Sequence, residues 1–258
     1  MPAIYDWSPH EIAFRNGNLT LAELVCIDNT RHSTQQDLFF DAVKNGFEEE
    51  VNHHLQQGIH VNITNDHGQT PLMIAAKNEK DTIVDILLTA KADISIKDKD
   101  GFSALLYAVA ERNTQTVQNF IKAGANPNDS LPNNQTALML AARAGNGDTV
   151  HLLIEAGADV MRCADNGYSA PLYAVIGGSI TALQELLKHG TAKMKTPRGA
   201  TALMLAVREE NFNMVKFLLE MGADVNARDD NGQTALKIAI VHNKPEIVEL
   251  LKSAGAKE

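Results

Sequence analysis

A hydroxyl residue recurs along the chain at a near-constant interval. It is Thr70, Ser103, Thr136, Ser169, Thr201 and Thr234, at steps of 33, 33, 33, 32 and 33 residues. A fixed period of this size constrains the fold more than any other feature of the sequence. Each unit must be one supersecondary element that buries its apolar face only against its neighbours. Glycine stands two residues before five of these hydroxyls, at Gly68, Gly101, Gly167, Gly199 and Gly232. The sixth has Asn134, and asparagine is the other residue type that tolerates positive φ. GFSALLYAV from Gly101 and GYSAPLYAV from Gly167 are therefore the same phrase, two units apart.

Every unit repeats one internal pattern. The hydroxyl is placed to cap a helix N-terminus. An apolar run with small residues follows, such as the seven residues from Thr70 to Ala76, and then a polar break. A second apolar pattern comes next, as in Ile83, Val84, Leu87 and Leu88, and ends on Gly-Ala or a variant of it. An extended stretch such as residues 224 to 228 leads to the next turn. This reads as two antiparallel helices and a hairpin-like finger. Aromatics are only 5% of the chain, and Ala and Leu carry much of its apolar content. That composition fits closely packed helices better than sheets.

The 33-residue period, the T-P-L-x-x-A-A opening at Thr70 to Ala76 and GlyAlaAspValAsnAla at 222 to 227 resemble ankyrin repeats. The resemblance covers Asp66 to Glu258 well. It implies an all-α ankyrin-repeat solenoid of stacked antiparallel helix pairs with β-hairpin-like fingers.

Residues 36–258 read as the array, one degenerate unit and six clear ones. AspLeuPhePheAspAlaValLysAsnGly at 37 to 46 fills a first-helix position one period before Thr70. Residues 1–35 read either as a degenerate N-terminal capping unit or as an unrelated helical hairpin. Residues 233–258 read as a C-terminal capping repeat. Apolar positions of earlier units (Met73, Leu106, Met139, Leu172, Met204) become Lys237, and another series ending at Leu219 becomes Lys252. A terminal repeat needs such a polar outer face, so the array is expected to end here.

The chain offers little chemistry. His10 and Glu11 open like a zinc-protease helix, but Phe14 replaces the second ligand. Gly145-Asn146-Gly147 follows a helix rather than a strand, which argues against a phosphate loop. Asp98 to Gly101 and Asp229 to Gly232 resemble calcium loops, yet Tyr107 and Ile238 occupy the required Glu position. No catalytic residue, metal or cofactor is expected. The net charge is −9, without a long Lys/Arg run, which disfavours nucleic acid and anionic membrane as partners. Two cysteines, the absence of a basic-then-apolar leader and the lack of a membrane-length apolar run point to a monomeric cytoplasmic protein.

What remains is a surface. The resemblance implies a concave groove lined by finger tips and first helices, binding another protein. The matching positions give His67, Gln69, Lys77, Asp100, Phe102, Gln135, Arg143, Tyr168, Arg198 and Arg208 as candidate protein-binding residues. Basic Lys77, Arg143 and Arg208 alternate there with apolar Ala110, Ile176 and Val241. Phe102 and Tyr168 either anchor a partner or pack on neighbouring fingers. Tyr107 and Tyr173 are expected in the core, with their hydroxyls at a polar edge. The fourth clear unit departs most from the pattern. Pro171 replaces a Leu, Gly177-Gly178 softens the turn, and the finger at 189 to 199 is one residue short. These departures mark a local bend, a contact site or plain repeat decay.

Overall fold

The computed structural model describes residues 34–189 and 194–257. Fourteen helices lie among them, in seven consecutive pairs. These are α1 (Gln35–Asn45) with α2 (Glu48–Gln56), α3 (Pro71–Lys77) with α4 (Asp81–Thr89), and α5 (Ala104–Ala110) with α6 (Thr114–Lys122). Next come α7 (Ala137–Ala144) with α8 (Gly147–Glu155), and α9 (Ala170–Ile176) with α10 (Ile180–Lys188). The last are α11 (Ala202–Arg208) with α12 (Phe212–Glu220), and α13 (Ala235–Val241) with α14 (Pro245–Ser253). Each first helix packs on the next first helix, giving an all-α repeat solenoid.

Five of the six periodic hydroxyls cap the first helices with their side chains. The side chains of Thr70, Ser103, Thr136, Thr201 and Thr234 accept the backbone N–H groups of Met73, Leu106, Met139, Met204 and Lys237. Asn113, Asn146, Ser179 and Asn211 do the same for second helices. Most of these helices have seven to nine residues, too short to persist alone in water. Stacking supplies the stability. One continuous core runs from Phe39 to Leu251, with Phe120, Leu153 and Leu183 fully buried. Each such side chain contributes roughly 1.5–3 kcal/mol of transfer free energy. Pro171 sits in the first turn of α9, where its missing N–H costs nothing and its ring is buried.

The fingers are closed turns rather than strands. Two backbone bonds close each: Asn65, Asp98, Leu131, Ala164, Thr196 and Asp229 donate N–H to the carbonyl four residues on and accept, at their own carbonyls, the N–H three residues on. Isolated antiparallel bridges join Ser130 to Thr136, Cys163 to Ser169 and Lys195 to Thr201. Asn134 has φ 58°, the conformation that its replacement of glycine requires. Left-handed backbone also occurs between the two helices of a pair, at Asn243 and, where the residue type gives no sign of it, at Glu79, Arg112 and Glu210. Lys237 and Lys252 are exposed, whereas Met204 is buried and Leu219 half-buried.

A second period of two units lies on top of the first. Lys99 N–H donates to His67 O at 3.1 Å, Asp165 to Asn133 O at 3.0 Å and Asp230 to Arg198 O at 3.1 Å. These bonds tie neighbouring fingers together in pairs. At the two intervening junctions the donor position is Pro132 or Pro197, which has no N–H. Each proline ring lies instead against the glycine of the preceding finger. A Cβ on Gly101 would meet Pro132 Cδ at 2.5 Å, and one on Gly167 would meet Pro197 Cγ at 2.1 Å. The six clear units are thus three doublets, joined by proline seams.

Candidate functional site

The candidate residues lie where the fingers meet the C-terminal ends of the first helices. The finger turns are held by one side chain each. Asn65 Oδ1 accepts the N–H groups of His67 and Gln69 at 3.0 Å. Asp98 Oδ1 accepts those of Asp100 and Phe102 at 3.0 and 2.8 Å. Asp229 Oδ1 plays the same part for Asn231 and Gln233 at 2.9 Å. The carboxylates of the two calcium-like sequences therefore face their own backbone. In the two units where this position is Leu131 or Ala164, Asn133 and Asn166 take over, bonding to Gln135 and Tyr168 N–H at 3.1 and 3.0 Å.

Gln69 and Gln135 reach forward into the second unit of their doublet. Their Nε2 groups donate to the hydroxyls of Tyr107 and Tyr173, both at 2.6 Å. Tyr107 is 8% exposed and donates in turn to Asp98 Oδ2 at 2.6 Å. Burial, and next the bond to the Asp98 carboxylate, push the Tyr107 phenol up to about 12. Tyr173 lacks that carboxylate, because Ala164 replaces it, and receives Asn166 Nδ2 at 3.0 Å. The tyrosines are the part of the site that a slot-by-slot reading of exposed positions missed. Their hydroxyl-bearing side chains at helix positions otherwise held by Ile74, Leu140, Leu205 and Ile238 were the available signal.

Phe102 and Tyr168 are half-buried, and each leans on the tyrosine of its own unit. Phe102 stacks on Tyr107 with ring centroids 4.9 Å apart and planes inclined by 29°. Tyr168 tilts against Tyr173 at 6.0 Å and 58°. One edge of each aromatic is fixed by the fold and the other is left to solvent. Lys77, Arg143 and Arg208 are exposed at the ends of α3, α7 and α11. Lys77 Nζ lies 5.4 Å from the Tyr107 ring centroid, and an Arg208 nitrogen is 3.6 Å from Asp229 Oδ2. His67, Asp100 and Arg198 are exposed at finger tips. The N-terminal stretch read as a capping unit or helical hairpin, with Tyr5, Trp7, His10 and Cys26 as its side chains for any chemistry, lies outside the described residues up to residue 33.

On the opposite face the second helices pack along the stack, least closely between α10 and α12. A cleft of about 770 Å³ is lined here by residues including His151, Glu185, Leu187, Phe217 and Met221. Glu185 accepts from Lys188 Nζ at 2.7 Å and pairs with His151 Nδ1 at 2.8 Å, and these contacts, Lys188 first, hold its carboxyl down at about 2. Among the described residues no helix is long and apolar enough to cross a membrane.

Comparison with known proteins agrees with the geometry. A family model described as ankyrin repeats (3 copies) matches four overlapping segments, residues 38–130, 76–162, 105–197 and 172–258. The chain is 41% identical over 76 residues to the potassium channel AKT1 of Arabidopsis thaliana, covering 29% of this chain and 9% of that protein. It is 43% identical over 60 residues to protein phosphatase 1 regulatory subunit 27 of Mus musculus, covering 23% and 39%. It is 49% identical over 55 residues to ankyrin repeat protein 14 of vaccinia virus (strain Western Reserve), covering 21% and 22%. The matches therefore span well under half of each relative. Capped helix pairs, glycine-turned fingers and a family model that runs from residue 38 to the last residue lead to one conclusion: the chain belongs to the ankyrin-repeat family.

Proposed function

We propose that this chain is a non-enzymatic scaffold or adaptor that holds a protein partner in the groove between fingers and first helices. Ankyrin repeats are general protein-interaction modules, and the family is typically non-catalytic. The observation that carries the finer reading is the pair of half-exposed aromatics, Phe102 and Tyr168, each braced from beneath by a buried tyrosine. A braced aromatic loses little freedom on binding and offers a large apolar face, which is how interface anchors work. His67, Gln69, Lys77, Asp100, Gln135, Arg143, Arg198 and Arg208 form the polar surround. The test is the double variant Phe102→Ala with Tyr168→Ala. It keeps the helical circular dichroism spectrum and loses partner capture from a lysate of the native cell. Capture that persists counts against these anchors.

A second reading is a regulatory or inhibitory protein that modulates one target enzyme. It is favoured by one relative whose name is that of a phosphatase regulatory subunit. It uses the same surface and predicts a single stoichiometric partner whose activity changes on binding.

A further inference from the structure

The three basic residues at the first-helix ends do not have the same electrostatic surroundings. The unit that follows each one decides the difference. After Lys77, the finger-holding position of the next unit is Asp98. After Arg208 it is Asp229. Both carboxylates are buried, but only Asp229 pairs with its cation directly; Lys77 meets the tyrosine that Asp98 holds. Arg208 lies 3.6 Å from Asp229 Oδ2, and Lys77 lies over the ring of Tyr107, whose hydroxyl donates to Asp98. Where the helix ends in Ala110 or Ile176, the next unit carries Leu131 or Thr196. Cation and carboxylate come and go together at four of these five junctions.

The exception is Arg143, which is followed by Ala164. Among the described residues the Arg143 side chain makes no hydrogen bond or ion pair. The carboxylate at the tip of that finger, Asp165, is turned to Asn134, whose Nδ2 donates to it at 2.7 Å. Gly177 brings α9 against the backbone here. A Cβ on it would fall 2.0 Å from the Arg143 carbonyl oxygen, so the arginine is held against the fourth unit. The finger that carries Ala164 also carries Asn166, exposed, and Tyr168, half-exposed, which tilts against Tyr173.

We infer that Arg143 is an anion-binding position completed by the partner: an Asp or Glu side chain of the bound protein takes the place that Asp98 and Asp229 hold in the flanking doublets. This rests on the groove reading above and names the partner's chemistry within it. A guanidinium without an internal counter-charge is matched in charge and in its fork geometry to a carboxylate. In a chain of net charge −9, such a lone cation sets register rather than drawing the partner in from a distance.

The experiment is selection of a displayed library of random 16-residue peptides on the immobilised full chain, with affinities then measured by fluorescence anisotropy. Selected peptides carry one fixed Asp or Glu. Changing it to Asn or Gln weakens binding roughly ten-fold, Arg143→Ala weakens it by a similar factor, and the two losses together are no larger than either alone. Ala164→Asp, which installs the carboxylate of the flanking doublets, weakens the acidic peptide in the same way and leaves the helical spectrum unchanged. If peptides are selected that need Phe102 and Tyr168 but show no acidic position coupled to Arg143, this inference is overturned and the groove reading stands. If no selected peptide depends on Phe102 and Tyr168, both are overturned.

Discussion

Replacing Gly167 by alanine tests the seam between doublets directly. Two costs are expected. Gly167 has φ +76°, so an L-residue pays the left-handed penalty of roughly 1–2 kcal/mol. The new Cβ would also sit 2.1 Å from Pro197 Cγ and 2.9 Å from its Cδ. A proline ring cannot swing aside as the end of a flexible side chain can. The finger itself must shift, and overpacking of this kind costs about 1–3 kcal/mol. Gly124 supplies the control. Its φ is +91°, but nothing lies within 4 Å of an added Cβ, so Gly124→Ala carries the backbone penalty alone. Urea unfolding followed by far-ultraviolet circular dichroism measures both, provided the denaturant slopes stay equal. Gly167→Ala should cost about 1–3 kcal/mol more than Gly124→Ala. Adding Pro197→Ala should recover most of that excess. Equal costs for the two glycine variants, or no recovery, would refute the assignment of the proline as the packing partner.

Other outcomes follow from the same contacts. Tyr107→Phe leaves Gln69 Nε2 and Asp98 Oδ2 without their shared hydroxyl and should cost about 1–3 kcal/mol by urea titration, the range for a buried polar group left unsatisfied. Tyr107 also predicts an alkaline limit. Its folded-state value of about 12 lies above the ordinary 10.0, so the unfolded chain loses its proton first and stability falls as pH rises from 10.0 toward 12. Tyr107→Phe should flatten that part of a stability-versus-pH curve, and an unchanged slope would count against the burial. Asn134→Ala should cost about 1–2 kcal/mol through its φ of 58°, with the bond to Asp165 lost as well, whereas Asn134→Gly should recover the backbone part. Phe120→Ala, at a fully buried position of α6, should cost about 3–5 kcal/mol in the same titration.

The repeat, the helix pairs and their caps could be read from spacing because each depends on a residue type that does one job. A hydroxyl before an apolar run caps a helix, and glycine or asparagine two residues earlier takes positive φ. The left-handed residues between helices were not legible, because Glu79, Arg112 and Glu210 carry no such signal and the conformation is imposed by packing. The two-unit order was partly in view in the recurrence of GFSALLYAV as GYSAPLYAV. Its meaning needed atomic positions: a Gln-to-Tyr bond that spans 38 residues, and an N–H that is present at Lys99, Asp165 and Asp230 but absent at Pro132 and Pro197. For the candidate groove, the exposed positions could be transferred one by one. That Arg143 is followed by Ala164, where Lys77 and Arg208 are followed by Asp98 and Asp229, appears only when the following unit is set beside each cation.

The proline seams also say where an array like this can change its length. Between the fingers of a doublet, a hydrogen bond fixes the register, so adding or removing one residue there breaks a bond. At a seam no backbone bond joins the finger tips among the described residues; a ring resting on a glycine takes its place, and at Pro132 the Lys97 side chain also reaches Ser130 O and Asp129. The one short step in the chain, 32 residues from Ser169 to Thr201, falls in the finger that carries Pro197. By the same logic, insertion of a whole 66-residue doublet at Pro132 or Pro197 preserves each of the three backbone bonds between fingers, whereas a single 33-residue unit leaves one finger without its mate. The array is built to be lengthened by twos.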